Sequence, residues 1–505
     1  MNIIVKLIAL LVLTMASFAA QSAERRVTGG VIKGEELSDG SAIFRSIPFA
    51  APPTGRLRWK PPQPVLPWQG VRDVNAIAKP CMQDDEGWNA ADAAISSEDC
   101  LYLSVHEPKH ASGERLPVYV WIHGGSNRAG NGHDVADSLI YQHGIVLVTI
   151  EYRLGIFGFL ASPQLTRESP HHSSGNYALL DQIAALKWVQ KNIATFGGDA
   201  RNVTIGGQSA GAMDIGQLLR SPLAKGLFSK TIQESGVLAP PRSAADNESI
   251  GRQLLTNLQL PGNAVGLKQL RALPASALLA ASKNLKPVSG DPNLLWMETS
   301  ADGWVIPAGR NNLYKSDDVS HVPHLVGNTT QEFIFEGNSE AVRGLVTQAY
   351  GSKAEAALGI YGIRGEQLPP DDAKLGDVGT QVLTDWTMRC PAYQLNKWTM
   401  ANKRKVWRYE FGLPRPGSKR VEHTAELDYV YYKPPAGATS LSWPPLQQYW
   451  ANFIKTGDPN DSSLPHWPEM NVDADYLLFL PSGMSTGKDL HGSHCRLLAQ
   501  RFAGE

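Results

Sequence analysis

The chain has 505 residues, of which 42% are hydrophobic, and a formal net charge of −1. This length can bury a large core, and a typical domain size gives a prior of about three domains. The near-neutral charge gives no electrostatic reason to expect nucleic acid or an anionic membrane as partner. The sequence has no internal repeat, low-complexity tract or Pro/Ser-rich linker. We therefore expect one large domain with insertions over residues 24–505.

Residues 1–23 have the pattern of a signal peptide. Lys6 supplies a positive charge, and an apolar run from Leu7 to Met15 precedes small residues. The run is shorter than the ~20 residues of a membrane span, and the polar residues 21–26 end it. No later segment is long and apolar enough to cross a bilayer. We expect a chain exported to the periplasm or the extracellular space, with no membrane span in its mature form.

Four cysteines in an exported chain are more often paired than free. Three pairings are possible. Cys81 and Cys100 lie close in sequence, and Cys390 and Cys495 both lie in the C-terminal quarter. The local pairing, Cys81 with Cys100 and Cys390 with Cys495, is therefore the first prediction. Buried free thiols are the alternative if the chain is not exported.

Short apolar runs alternate with helical patterns. The apolar runs are residues 101–105, 117–122, 144–150 and 203–205, the last cut short by Gly206-Gly207. Apolar residues recur at helical spacing over 178–193, and a second helix is predicted to begin near Ala210. This order predicts an α/β fold, with a large, mostly parallel sheet and helices on both faces. Continuous apolar strands fit a sheet that is buried on both sides.

A G-x-S-x-G pattern stands at Gly207-Gln208-Ser209-Ala210-Gly211. Alone it is weak, since glycine is common in this chain, but it follows a predicted strand and opens a helix, as a nucleophile elbow requires. The elbow presents the serine at the carboxyl edge of the sheet. The Ala210 amide at the helix N-terminus then favours a developing oxyanion. Ser209 is therefore predicted to be a nucleophile rather than an ordinary serine in a glycine-rich turn.

The strand at 117–122 ends in a second glycine-rich segment, His123-Gly124-Gly125-Ser126. Acyl transfer needs two or three hydrogen-bond donors aimed at the oxyanion, and a loop upstream of the nucleophile supplies them in this type of fold. A glycine pair after a strand is otherwise a simple turn. We predict an oxyanion hole formed by Gly124, Gly125, Ser126 and Ala210.

These patterns, taken together, resemble the type B carboxylesterases, the family that includes the cholinesterases. The resemblance covers roughly residues 28 to 500, with matching stretches in the family's order. The longest surround the nucleophile, at residues 196–211 (FGGDARNVTIGGQSAG), and Cys100, at residues 98–103 (EDCLYL). Shorter ones are IPFAAPP at 47–53, YRLG at 152–155, DG at 302–303 and GDPN at 457–460.

The resemblance implies an α/β-hydrolase fold and a Ser–Glu–His triad in that chain order. Residues 327–332 resemble the segment that carries the acid and point to Glu332, with Glu336 as its competitor. Residues 423–430 resemble the segment that carries His423. The family's oxyanion loop maps onto Gly125 and Ser126 with Ala210, and the family pairs its cysteines as the spacing suggests.

The chain departs from the family at several positions near the predicted site. Gln331 stands where Asp is common, Phe333 and Thr424 where Gly is common, and Ser126 replaces a usual glycine. Some relatives carry Glu at the position of Gln208. An amide there provides hydrogen bonds beside the histidine without a buried charge.

Three other patterns are weaker. Residues 106–110 (HEPKH) satisfy the zinc pattern H-E-x-x-H, but that chemistry needs a helix and Pro108 follows a predicted strand. Residues 485–488 satisfy S-x-x-K without its accompanying elements. His491, His494 and Cys495 resemble a ligand set, but the predicted disulfide uses Cys495. We expect no metal and no cofactor.

The sequence predicts a serine hydrolase that cleaves small-molecule carboxylic esters through an acyl-enzyme on Ser209. A serine amidase or peptidase on the same fold is one alternative, because a triad alone does not exclude amides. A non-catalytic, adhesion-type relative is another, although such proteins typically lose a triad member that this chain keeps. The natural ester and the oligomeric state are not specified by these patterns.

Overall fold

The computed structural model describes residues 22–135, 138–237, 241–286, 299–308, 322–401, 403–471, 473 and 475–503. The predicted signal peptide lies outside these residues except for Ser22 and Ala23, which begin the first strand. None of the described helices combines the length and the apolar character needed to cross a membrane.

The strands are β1 (Ser22–Val27), β2 (Gly30–Glu36), β3 (Ala42–Pro48), β4 (Val71–Asp73), β5 (Tyr102–Glu107), β6 (Leu116–Ile122), β7 (Val146–Ile150), β8 (Gly198–Gln208), β9 (Lys230–Glu234), β10 (Arg242–Ser243), β11 (Ser300–Ala301), β12 (His324–Thr329), β13 (Val406–Phe411), β14 (Asp475–Leu480) and β15 (Gly483–Lys488).

The α-helices are α1 (Ala90–Ile95), α2 (Gly155–Phe159), α3 (Pro163–Glu168), α4 (Tyr177–Asn192), α5 (Ala210–Arg220), α6 (Ala244–Asn257), α7 (Ala264–Ala272), α8 (Ala275–Ser282), α9 (Ser339–Tyr350), α10 (Ala354–Ile360), α11 (Val378–Thr384), α12 (Cys390–Ala401), α13 (Leu427–Tyr431), α14 (Leu446–Thr456) and α15 (Gly492–Ala503). A π-helical turn, Asp385–Arg389, joins α11 to α12. Short 3₁₀ turns lie at Gly55–Leu57, His133–Val135, Leu139–His143, Ile193–Phe196, Pro222–Ala224 and Gly351–Lys353.

Thirteen of the described strands form one sheet in the order β1-β2-β3-β5-β7-β6-β8-β9-β12-β13-β14-β15, with β4 beside β2. The seven strands from β7 to β14 in this order are mutually parallel. Antiparallel pairs flank them on both sides. The carboxyl ends of β6, β8, β9 and β12 therefore meet at one edge of the sheet. The prediction of a large, mostly parallel α/β sheet is confirmed.

The sheet separates two hydrophobic cores. Along β6, Val118 and Val120 pack into a core that includes residues of α4 and α5. The alternate residues Tyr119 and Trp121 pack into a second core with residues of α13 and α14. Because side chains of a strand alternate between faces, these continuous apolar strands are buried on both sides, as their sequence predicts.

One strand differs from its predicted length. The run at 203–205 was expected to end at Gly206-Gly207, but β8 continues to Gln208 because both glycines pair with β6 and with β9. A Cβ on Gly206 would lie 2.0 Å from the Tyr119 hydroxyl. The glycine therefore admits a neighbouring aromatic ring rather than ending the strand.

The structure pairs Cys81 with Cys100 and Cys390 with Cys495, as the spacing predicts, with Cα–Cα distances of 5.0 and 4.7 Å. These two disulfides account for all four cysteines of the sequence. The second joins α12 to α15 across 105 residues. It therefore fixes the C-terminal helix to the body of the domain.

Candidate active site

Ser209 occupies the single-residue turn between β8 and α5. Its backbone has φ 54° and ψ −125°, a conformation that is rare for a residue with a side chain. The Ser209 amide donates to the Glu234 carbonyl (2.9 Å), and the Ser209 carbonyl accepts from the Met213 amide (3.0 Å). The turn is thus held from β9 on one side and from α5 on the other. This is the geometry of a nucleophile elbow.

Close backbone contacts explain one glycine after the serine, Gly211, and one in the loop that faces the serine, Gly124. A Cβ on Gly211 would lie 2.2 Å from the Ile122 carbonyl oxygen, at the end of β6. A Cβ on Gly124 would lie 2.8 Å from the Gln208 carbonyl oxygen and 3.0 Å from Ser209 Cβ. The glycine loop after β6 therefore lies directly against the elbow, as expected for an oxyanion hole.

The loop that contains Gly124, Gly125 and Ser126 is tightly folded. Gly125 has φ 105°, and its carbonyl accepts hydrogen bonds from the Arg128 and Ala129 amides, each at 3.0 Å. Ser126 and Asn127 both have left-handed backbones, with φ 57° and 55°. Ala210, the fourth predicted donor, is fully buried at the start of α5.

His423 and Glu332 lie beside each other, 91 residues apart in sequence. The imidazole Nδ1 is hydrogen-bonded to Glu332 Oε2, and the His423 amide donates to the Glu332 carbonyl (3.1 Å). Glu332 is buried, and its other carboxylate oxygen accepts from the Thr329 amide (2.8 Å) at the end of β12. The acid and the histidine are therefore fixed to each other through both side chain and backbone.

Gln208 is the hydrogen-bond partner of His423 Nε2, at 3.0 Å from its side-chain nitrogen. Since the amide donates, the imidazole proton lies on Nδ1, facing Glu332, and Nε2 is unprotonated. Among the described contacts, no hydrogen bond joins Ser209 Oγ to this nitrogen. The Phe333 ring packs on the other side, 4.6 Å from the imidazole centroid. Ser209 thus directly follows Gln208, the residue whose side chain contacts the histidine.

Glu336, the competing acid, lies elsewhere. Its side chain is 85% exposed, and its recorded partner is Arg420 at 3.9 Å. It makes no described contact with His423, so Glu332 is the acid that the fold brings to the histidine.

A second buried carboxylate, Glu426, lies three residues after His423. It accepts hydrogen bonds from the Ser235 hydroxyl (2.9 Å) and the Tyr409 hydroxyl (3.1 Å). Burial, followed by the negative charge of Glu332, raises the pKa of Glu426 to about 7. Burial and the neighbouring carboxylate therefore favour the neutral form of Glu426.

A buried network anchors the oxyanion loop to α5. Asp214 accepts from the Asn127 side-chain amide (3.2 Å) and from the Gln182 side-chain amide (2.6 Å) of α4. Burial raises the pKa of Asp214 to about 7, although both hydrogen bonds oppose that shift. The Asn127 carbonyl also accepts from the Gly155 amide at 2.6 Å. Asn127 is therefore held through both its side chain and its backbone.

The other end of the loop is held by Tyr152 and Gln83. Tyr152 donates to the His123 carbonyl (2.6 Å), and its ring stacks on the imidazole. Gln83, within the Cys81–Cys100 loop, donates to the Gly130 carbonyl (2.8 Å) and accepts from the Gly130 amide (2.9 Å). The first disulfide loop thus supports the backbone of the predicted oxyanion hole.

Comparison with known proteins agrees with this geometry. The model of the Carboxylesterase family matches residues 21–498. The chain belongs to the carboxylesterase family.

Several curated esterases are similar along most of their length. Fumonisin B1 esterase of Sphingopyxis macrogoltabida is 33% identical over 483 residues, which cover 90% of this chain and 86% of that protein. Carboxylesterase 1D of Rattus norvegicus is 33% identical over 501 residues, covering 90% and 87%. Cocaine esterase of Homo sapiens is 33% identical over 500 residues, covering 90% and 86%.

Among solved structures, a PNB esterase superposes with a TM-score of 0.79 and 28% sequence identity, covering 94% of this chain and 99% of that one. Family, relatives and fold agree that this carboxylesterase is a serine carboxylic-ester hydrolase with the α/β-hydrolase fold.

The residues of the carboxylesterase that sequence reasoning missed are those that support the site. They are Asp214, Asn127, Gln182, Gln83 and Glu426. Asp214 has a local signal, because it is an acidic residue within the helix that follows the serine. The others have no such signal, because their partners are distant in sequence.

One described group resembles a metal ligand set. Asp385, His491 and His494 place one ligand atom each within 4.8 Å of one another. The Asp385 carboxylate is already ion-paired with Arg389 and hydrogen-bonded to His491 and Tyr361. The adjacent guanidinium disfavours a cation there, and Cys495 lies in a disulfide. The zinc-like pattern does not lie on a helix: β5 extends beyond the predicted strand 101–105 and includes His106 and Glu107.

The raised pKa of Asp214 generates a prediction about stability. The pKa of its carboxyl group rises from 3.8 to about 7 on folding. The contribution of this group to the free energy of unfolding is therefore complete below pH ~4 and is lost as the pH rises through ~7. Asp214→Asn mimics the neutral form, since the Gln182 and Asn127 amides can turn their unpartnered oxygens towards the new donor. The free energy of unfolding of the variant minus that of wild type should therefore increase by about 2–3 kcal/mol as the pH rises from 5 to 8.

Urea unfolding at the two pH values measures this gain. The control is Asp371→Asn, at an exposed aspartate for which no such pH-dependent gain is expected. An equal effect of Asp214→Asn at both pH values would contradict the raised pKa.

Proposed function

We propose that Ser209, His423 and Glu332 form the catalytic triad of this esterase and that hydrolysis proceeds through an acyl-enzyme on Ser209. The observation that carries this proposal is the hydrogen bond from His423 Nδ1 to the buried Glu332 carboxylate, beside a serine held in an elbow. That bond leaves Nε2 free of a proton and directs it to the edge where Gln208 and Ser209 lie.

His423 Nε2 takes the proton of Ser209 as Oγ attacks the ester carbonyl carbon. This requires Nε2 to exchange its contact with Gln208 for one with the serine hydroxyl. Glu332 stabilises the imidazolium that forms, and collapse of the tetrahedral intermediate releases the alcohol after His423 returns the proton. Water, activated by the same histidine, then attacks the acyl-enzyme and releases the acid.

The oxyanion is bound, in this proposal, by backbone amides of the Gly124-Gly125-Ser126 loop and of Ala210. Loss of one donor costs about 3–4 kcal/mol in comparable sites. Support for this role comes from the contact between Gly124 and Ser209 and from the network that holds Asn127.

We propose a small-molecule carboxylic ester as substrate, without a requirement for a cationic group. Gln208 places a neutral amide where a carboxylate would attract a cation, and its position beside His423 supports this. The relatives are named for different esters, including fumonisin B1 and cocaine. The family resemblance therefore supports the reaction and leaves the acyl and alcohol groups to the pocket shape.

Replacement of the nucleophile tests the proposal directly. Ser209→Ala should abolish covalent labelling by a fluorophosphonate probe and hydrolysis of p-nitrophenyl acetate, because no other hydroxyl lies at the elbow. Intact-mass spectrometry measures the labelling. Ser221→Ala, at the other end of α5, is the matched control and should label like wild type. Persistent labelling of Ser209→Ala would refute the assignment, and faster turnover of a matched anilide than of the ester would favour an amidase.

The acid is tested by two glutamates four residues apart. Glu332→Gln should lower kcat by about 10⁴-fold, as in other triads that lose the acid, because the imidazole loses its tautomer control. Glu336→Gln should hydrolyse p-nitrophenyl acetate at the wild-type rate, since its side chain is exposed. Circular dichroism verifies that both variants fold. The reverse pattern would move the acid to Glu336, and two active variants would place it elsewhere.

We also propose that the protein is exported to the periplasm or the extracellular space after removal of a signal peptide near residues 20–24. Two disulfides support an oxidising compartment, and the described helices include no membrane span. N-terminal sequencing of the exported protein should find a start between residues 20 and 24, and denatured, unreduced protein should contain no titratable thiol. An intact Met1 on exported protein, or two free thiols, would contradict the proposal.

A further inference from the structure

A cavity of about 680 Å³ lies between α3, α7 and the 3₁₀ turn at Gly55–Leu57. Its volume falls within the range of small-molecule sites, about 300–1,000 Å³. None of its lining residues belongs to the triad or to the oxyanion loop. The esterase mechanism therefore leaves this cavity unused.

The cavity is strongly basic, although the whole chain has a net charge of −1. Five cations line it: Arg56, Lys60, Arg167, Lys268 and Arg271. The one anion in its lining is Glu168, which pairs with Arg271 (2.5 Å) and with Lys60 (3.4 Å). Clustered charges of one sign in a concave surface raise the local concentration of oppositely charged ligands.

Three of these cations have no acidic partner in the part of the chain that the structure describes. Among the described residues, Arg56, Arg167 and Lys268 make no recorded ion pair or hydrogen bond through their side chains. Arg271, in contrast, is fixed by Glu168 and by a hydrogen bond from its Nε to the Arg58 carbonyl (3.1 Å). The cavity thus contains one arginine that is held in place, Arg271, and three cations that are available to a ligand.

A buried, unpartnered amide also lines the cavity. Gln164 is only 7% exposed, and its Oε1 is buried without a hydrogen-bond partner. Its Nε2 likewise has no recorded acceptor among the described residues. A buried amide oxygen without a hydrogen-bond partner lowers the stability of the fold relative to an apolar side chain at the same position. Nε2 is a hydrogen-bond donor on the cavity lining and can donate to a bound anion, whereas the buried Oε1 is an acceptor that an anion does not satisfy.

We propose that this cavity is a second ligand site, separate from the esterase centre, for a small organic anion with two or more carboxylate or phosphate groups. Arg56, Arg167 and Lys268 bind the charged groups, Gln164 Nε2 donates to one of them, and Ala264 and Leu267 contact the carbon skeleton. A concave site of this size favours a small molecule over an acidic protein surface, which needs a larger and flatter area.

Isothermal titration calorimetry of the full-length protein at low ionic strength tests the site with two probes, citrate and fructose 1,6-bisphosphate. At least one should bind at a single site with Kd below about 1 mM, and its affinity should fall as NaCl rises from about 20 to 200 mM. The stronger probe distinguishes carboxylate from phosphate recognition. Absence of saturable binding by both would overturn the proposal, as would binding of only a long poly-glutamate.

A double variant and a control variant locate the site. Arg167→Glu/Lys268→Glu should weaken binding by about tenfold or more and leave p-nitrophenyl acetate hydrolysis unchanged. Lys187→Glu, at an exposed lysine of α4 outside the cavity, should bind like wild type. Equal weakening by all these charge reversals would mean nonspecific attraction and would overturn the site.

Gln164→Leu separates a ligand role from a structural one. Removal of an unsatisfied buried amide should keep or raise Tm, by about 1–2 °C, while the affinity for the probe falls several-fold. A lower Tm with unchanged affinity would mean that the amide serves the fold, and the proposed contact would be wrong.

Discussion

The backbone of Ser209 is held at φ 54° between hydrogen bonds from two different elements, and the geometry of the site depends on this turn. Such a conformation costs of order 1–3 kcal/mol and persists only where the surroundings over-determine it. Here β8 is paired on both sides through its last residues, so the chain reaches the turn from a fixed strand. The Glu234 carbonyl of β9 then takes the Ser209 amide. Because the parallel strands end together, the same edge receives the acid from β12 and the loop from β6.

The second constraint is the number of negative charges that this edge can hold. Glu332, Glu426 and Glu234 are all buried near the histidine segment. Burial and the charge of Glu426 raise the pKa of Glu234 well above its usual range, while burial and the charge of Glu332 raise that of Glu426. Two of the three carboxyls are therefore held towards the neutral form. Glu332 differs from both in its contacts, because its carboxylate accepts hydrogen bonds from a backbone amide and from the imidazole.

The parts of the site that sequence predicts are local or belong to long motifs. The elbow was predicted because strand, glycines and helix are contiguous, and Glu332 and His423 were found through stretches that resemble a family. Asp214, Asn127 and Gln182 were missed because their contacts span 87 and 32 residues. The end of β8 was misplaced for a related reason. The glycine pair at 206–207 predicts a strand end from local sequence alone, whereas the partners of Gly206 on both neighbouring strands decide its structure.

Segments that are distant in sequence hold the proposed oxyanion loop in place. Ser126 and Asn127 both have left-handed backbones, which residues with side chains adopt uncommonly, although asparagine does so more often than serine. The constraint comes from α5 through Asp214 and from α2 through the Gly155 amide. On the far side, Gln83 binds both backbone groups of Gly130, and the Cys81–Cys100 disulfide closes the segment that carries Gln83. The nucleophile helix and the first disulfide loop therefore fix the same few amides from opposite ends. Since an oxyanion hole works by donors that are already in place before charge develops, this double anchoring would give the disulfide a share in positioning the proposed oxyanion donors as well as in stability.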